Sequence, residues 1–141
     1  MIDSLEISFP LEFVVAGVPV SGQSKSRGRE AWKAKISNEC RLQLPESAFL
    51  AQGPISILIY HFPDGEMMGD IDNIIKPILD ALVAVVYIDD RLVERVTAQK
   101  FETSRVPPKW SSPSVTLFSA ISGQKPLTYV RVSAEPHEDI R

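Results

Sequence analysis

Cysteine is nearly absent from this chain of 141 residues: Cys40 stands alone, so no intramolecular disulfide framework can form. Histidine is almost as scarce, at His61 and His137, and one thiol with two imidazoles excludes an ordinary zinc finger or zinc ribbon. No stretch approaches the ~18 to 20 consecutive apolar residues of a membrane span. The start, Met1-Ile2-Asp3-Ser4-Leu5-Glu6, has no basic region of the kind that opens a signal peptide. A cytoplasmic protein with no membrane partner is the expectation. Excess positive charge is missing too. Fifteen Lys and Arg stand against 18 Asp and Glu, for a net charge of -3, which argues against bulk attraction to nucleic acid but is silent about local patches. What is present is an ordinary globular composition, 44% hydrophobic, long enough for one core and hardly two. One domain over 1-141 is expected, with a polar tail from about 135.

Leu11 to Ala16 is a β-branched and aromatic run closed by Gly17 and Pro19, and reads as a strand. From Arg29 to about Leu44 there is neither Gly nor Pro, and Ala31, Trp32, Ile36, Cys40 and Leu44 recur at helical spacing. Ile55 to Phe62 is the strongest strand signal, stopped by Pro63-Asp64-Gly65. Asp72 to Val86 reads as a second, largely buried helix. Pro77 belongs in a first turn, so that helix starts at Asn73 or is distorted just after it. Leu92 to Phe101, Ser114 to Ile121 and Leu127 to Ser133 read as strands. The fold class expected is α+β, with a mixed sheet packed against two main helices.

Chemistry concentrates in Gly69-Asp70-Ile71-Asp72-Asn73-Ile74-Ile75-Lys76-Pro77-Ile78-Leu79-Asp80 and in Tyr87-Ile88-Asp89-Asp90. Asp70 and Asp72 are two apart, so in an extended or capping conformation both side chains project to one side and can share a cation. Lys76 lies one helical turn beyond Asp72, and Asp80 one turn further. Clustered carboxylates raise each other's pKa unless a cation or donor compensates. Hard oxygen ligands suit Mg²⁺, or Mn²⁺, which keep several waters and complete their shell with substrate phosphate. The implied chemistry is metal-assisted phosphoryl transfer, with Lys76 as the ammonium that offsets charge on the phosphate or leaving oxygen. On spacing alone a plain cap, a Lys76-Asp80 surface pair and a turn at Asp89-Asp90 fit equally well. A calcium EF-hand does not fit, because the sixth position from Asp70 is Ile75 and the twelfth is Ala81.

The order Asp70-x-Asp72-Asn73-x-x-Lys76, Asp80-Ala81-Leu82, Asp89-Asp90-x-x-Val93 resembles the RusA-like family of Holliday junction resolvases. The likeness is clearest from Asp70 to Val93. It extends more weakly through the opening strand with Gly17-Val18-Pro19, the basic helix, and His61-Phe62-Pro63-Asp64. The resemblance implies a RusA-like fold and a Mg²⁺-dependent, homodimeric endonuclease of DNA recombination and repair that makes paired nicks in four-way junctions. It further implies Asp70, Asp72 and Asp90 as metal-binding catalytic carboxylates, Lys76 as the catalytic lysine and Asp89 as an accessory acid. One departure stands out: the loop before Asp70, which is often basic in that family, reads Asp64-Gly65-Glu66-Met67-Met68-Gly69 here. Met67 and Met68 would then suit a dimer contact.

Positive charge gathers instead at Lys25, Arg27, Arg29, Lys33, Lys35 and Arg41, against Glu30 and Glu39, leaving a local charge of +4. The first five are the candidate contacts to the DNA backbone. A second contact at Arg105, Lys109 and Trp110 is weaker than a plain Pro-rich loop. Trp32 falls on the apolar helical positions and is expected to pack, Cys40 to be a buried small residue, and His61 to be a core residue at a strand end rather than a ligand. Two other classes compete. A noncatalytic junction-binding protein would have no use for the aspartates and lysine. A haloacid-dehalogenase-like phosphatase would place its first aspartate directly after a buried strand, where this chain has Met67-Met68-Gly69.

Overall fold

The structure is a computed structural model that describes residues 6-20, 26-67, 69-102, 110-134 and 136. Strand β1 (Leu11–Ala16) alternates strictly, burying Leu11, Phe13 and Val15 on one side. Helix α1 (Ser26–Arg41) follows, burying Trp32, Ile36 and Cys40 one turn apart. It starts three residues ahead of the expected Arg29. Past Arg41 the Leu42 N–H still reaches back four residues to Asn38, but those of Gln43 and Leu44 reach only three, to Cys40 and Arg41, tightening the chain before Pro45. Strand β2 (Ile55–Phe62) has the bounds its sequence predicts.

The single helix expected from Asp72 to Val86 is corrected at both ends. A 3-10 turn (Ile71–Ile74) leads into a short helix α2 (Ile75–Ala81). In a continuous α-helix from Asn73, the Pro77 ring would collide with the Asn73 carbonyl. Starting at Ile75 puts Pro77 in the first turn, where no intrahelical donor is needed. Beyond Leu82, Ala84 takes a φ of 65° and its N–H donates to the Tyr87 carbonyl at 2.7 Å, so the chain turns tightly instead of winding on. Leu82, Val85 and Val86 are buried, but in a turn.

A second 3-10 turn (Asp90–Leu92) opens β3 (Val93–Lys100). The strand expected at Ser114 to Ile121 is instead helix α3 (Val115–Ser122), and satisfied ends explain why. Ser114 Oγ accepts the Leu117 N–H at 3.0 Å and donates to Glu12 on β1. At the other end Lys125 Nζ donates to the carbonyls of Ala120, Ile121 and Gly123 at 2.7, 2.8 and 2.8 Å. Strand β4 (Leu127–Ser133) closes the sheet as expected.

The sheet order is β1-β4-β2-β3, with β4 antiparallel to both neighbours and β2 parallel to β3. This is the α+β, mixed-sheet class read from the sequence, with a third helix in place of one strand. Helices α1 and α2 cover one face over the main core, which contains Phe13, Ile36, Ile57, Ile78, Leu82 and Val130. Helix α3 covers part of the other face, where Tyr60, Phe62, Phe101, Trp110 and Tyr129 form an aromatic layer with neighbouring centroids 5.1 to 6.4 Å apart. Parallel strands need a long crossover. The β2 to β3 connection supplies it, and it carries the whole acidic motif. No helix is long and apolar enough to cross a membrane among the described residues.

Candidate active site

The crossover brings together residues that sequence separates. On α2, Lys76 and Asp80 face the same side, and Lys76 Nζ lies 2.8 Å from Asp80 Oδ1. The same ammonium lies 3.2 Å from Asp90 Oδ2, in the turn that opens β3. One lysine thus ties both ends of the motif. Hydrogen bonds to Asp80 first, and to Asp90 second, raise the Lys76 pKa above its ordinary value, so the ammonium stays charged. Tyr87 fixes the turn between the two ends. Its hydroxyl donates to the Leu79 carbonyl at 2.7 Å, and burial, with Asp90 and Asp80 adding, raises its pKa.

Asp70 sits in extended conformation at the start of the first 3-10 turn, where its carbonyl accepts the Asn73 N–H at 3.1 Å while its side chain makes no capping bond. Asp72 is in the first turn itself, and both carboxylates are exposed. Among the described residues no three acidic, histidine or cysteine side chains converge into a set that could hold a metal ion. The structure therefore joins Asp90 to Lys76 and leaves Asp70 and Asp72 presented to solvent close by in the chain. The donor chemistry of these oxygens fits a hard, water-rich divalent ion. Asp89 caps the second 3-10 turn, accepting the Arg91 N–H at 3.0 Å.

Helix α1 packs beside α2, and Ser37 Oγ donates to the Ala81 carbonyl at 2.7 Å. The basic helix is thereby fixed next to the helix that carries Lys76. Arg27 and Lys35 are exposed, Arg29 is half-buried, and Lys33 is paired with Glu30 at 2.9 Å. Lys25, Arg105 and Lys109 lie outside the described residues, as do Met68 and most of the tail from 135. Trp110 joins the aromatic layer, and Met67 packs against the main core. Trp32 is buried, as its spacing predicts.

His61 is a core residue. It is 2% exposed, its Nδ1 lies 3.0 Å from Thr128 Oγ1, and burial lowers its pKa against the opposing hydrogen bond to the Leu127 backbone. Burial pushes the Cys40 thiol up to about 12, which makes it inert packing. Asp80 was legible only as a possible surface pair, through its i+4 spacing from Lys76. Glu102 carried no signal at all in the sequence.

A sequence model of the family described as endodeoxyribonuclease RusA matches residues 22-109, from the approach to α1 through the crossover and β3. No curated protein matches the chain significantly.

Proposed function

From the premise that the chain belongs to the RusA endodeoxyribonuclease family, we propose that it resolves four-way DNA junctions by paired phosphodiester hydrolysis at the Asp70 to Asp90 site. The observation that carries this reading is the Lys76 ammonium, 2.8 Å from Asp80 and 3.2 Å from Asp90, which ties α2 to the start of β3. The family is generally dependent on a divalent metal. Asp70, Asp72 and Asp90 would supply carboxylates to that ion, although they do not already converge as a set, with Mg²⁺ as the natural choice and Mn²⁺ as a substitute. Bound there, it would supply a Lewis acid for the scissile phosphate and a more acidic water.

The protein's own groups do the rest. Lys76 would place a positive charge where the phosphate gains negative charge, with Asp80 and Asp90 orienting the ammonium. Arg27, Arg29, Lys33 and Lys35, with Lys25, bind the DNA backbone along α1 and its approach, and the packing of α1 on α2 supports a path from that backbone to the site. Two copies in a symmetric homodimer would present two sites to the symmetry-related strands of a junction.

The deciding experiment compares nicking of a synthetic four-way junction, a flap and linear duplex, with Mg²⁺ and with chelator. Symmetric, metal-dependent nicks on the junction are expected. Cleavage unaffected by chelator, or junction binding with no cleavage at any metal concentration, would refute the reading.

A further inference from the structure

Glu102 is a carboxylate that the proposed chemistry does not use, and its side chain is only 8% exposed. Burying a carboxylate is costly unless hydrogen bonds and a counter-charge compensate. Both are present. Lys100 Nζ lies 3.3 Å from Glu102 Oε2, and the same oxygen accepts the backbone N–H of Met67 at 2.9 Å. The Lys100 contact is within one strand end, whereas the Met67 contact spans 35 residues and reaches the loop that delivers the acidic motif.

The location follows from the sheet. Strands β2 and β3 run parallel, and the ladder continues one residue past the end of β3, where the Phe101 N–H donates to the carbonyl of His61, near the end of β2, at 2.9 Å. Glu102 therefore stands beside the point where the chain leaves β2 for the crossover. Met67 is held twice there, by its backbone on Glu102 and by its side chain against the main core. Two residues later Gly69 takes a φ of 83°, a conformation that favours glycine, and Asp70 then enters the 3-10 turn. The three residues from Met67 to Asp70 can span at most about 10 Å. A pinned amide at Met67 thus restricts where Asp70 and Asp72 can lie.

We propose that Glu102 is a positioning residue for the metal-bearing loop, its buried carboxylate fixing the Met67 amide and through it the placement of Asp70 and Asp72. This rests on the assignment of those two aspartates to the metal. A charged acceptor holds an amide more strongly than a neutral one, which explains why a buried charge stands at this strand end.

The test compares Glu102→Ala and Glu102→Gln with the wild type in two independent measurements. In metal-free protein, amide hydrogen exchange across the Met67 to Gly69 loop is expected to quicken about tenfold in the Ala variant. Gln keeps an acceptor oxygen and should fall between. In the nicking assay the Mg²⁺ concentration for half-maximal rate should rise about 10- to 100-fold in Glu102→Ala. Junction affinity and the rate at saturating metal should stay near wild type, again with Gln between. If Glu102→Ala does not fold, the Gln variant alone decides, because wild-type exchange and wild-type metal dependence together would overturn the proposal. A Glu102→Ala protein with unchanged loop exchange would overturn it as well, as would a loss of rate that excess metal cannot restore. Were the wild type to nick no junction at all, the assignment of function would fail while the exchange measurement still decided the anchor.

Discussion

Lys76→Ala separates stability from chemistry at this site. Lys76 makes two ion pairs, but its side chain is 66% exposed, and Asp80 and Asp90 are about one-third exposed. Pairs of that kind are screened by water, and an exposed i,i+4 pair contributes about 0.3 to 0.5 kcal/mol. Lys76–Asp80 is of that i,i+4 kind, and the exposed Lys76–Asp90 pair, between residues 14 apart, adds about 0.2 to 1 kcal/mol; together they contribute about 1 kcal/mol, which for a domain of this size lowers the melting temperature by a few degrees. The better helix propensity of alanine offsets part of that. The folded protein should therefore be almost unaffected.

The rate should not be. Removing one preorganised donor aimed at developing charge typically costs about 10²- to 10³-fold in turnover. The assay is single-turnover nicking of a four-way junction at saturating protein and metal, alongside thermal melts and junction binding in chelator. The expected outcome is a fall in rate of that order, a melting temperature within about 4 °C of wild type and little change in affinity. Wild-type turnover, or an effect confined to affinity, would remove Lys76 from catalysis. A collapse in melting temperature would mean that the ammonium holds the crossover together and that the energetic reasoning is wrong.

Asp70→Asn and Asp90→Asn should abolish metal-dependent nicking with the fold retained. Each should also shrink the stabilisation that Mg²⁺ gives the wild type in thermal melts, which is about 2.7 kcal/mol at 100 times the dissociation constant; unchanged Mg²⁺ stabilisation would place the ion elsewhere. Arg27→Ala combined with Arg29→Ala should weaken junction binding and flatten the plot of log affinity against log salt by about 1.8. An unaltered slope would take α1 off the DNA path. Burial lowers the His61 pKa, so this residue adds stability above its unfolded value near 6.5 and loses it as pH falls through the folded value. Urea melts at pH 7.5 and 5.5 should show a loss of up to about 1.4 kcal/mol per pH unit that His61→Asn reduces. An equal loss in the variant would assign the acid sensitivity to other groups.

Where sequence spacing matched one element's own periodicity, it was reliable. Strand β2 and the buried stripe Trp32, Ile36, Cys40 on α1 are as read. The failures have local causes. Leu82, Val85 and Val86 extend the apolar period of α2, so they mimic a helix, yet the positive φ of Ala84 ends it; periodicity reports burial and not backbone conformation. Val115, Leu117 and Phe118 look like a strand because β-branched and aromatic residues favour one, but Ser114 and Lys125 satisfy both ends of a helix. That outcome depends on partners distant in sequence, above all Glu12. The acidic motif was legible as chemistry because its members share one crossover. Glu102 was not, since only the parallel pairing of β2 and β3 brings it to Met67.

That pairing also explains how an acidic chain can serve a polyanionic substrate. The crossover from Asp70 to Leu92 holds five aspartates against Lys76 and Arg91, while the cations of α1 come from a different part of the chain. Were the charges mixed evenly, aspartates would neutralise the basic surface and no face would attract phosphate. Packing α1 against α2 sets the net-basic helix, whose Glu30 pairs with Lys33, beside the acidic crossover, with Lys76 held by Asp80 and Asp90 within the latter. Carboxylates free of bound cation repel a phosphate, and carboxylates holding one attract it. The weak overall charge is therefore compatible with local binding, provided that the divalent ion arrives with or before the DNA.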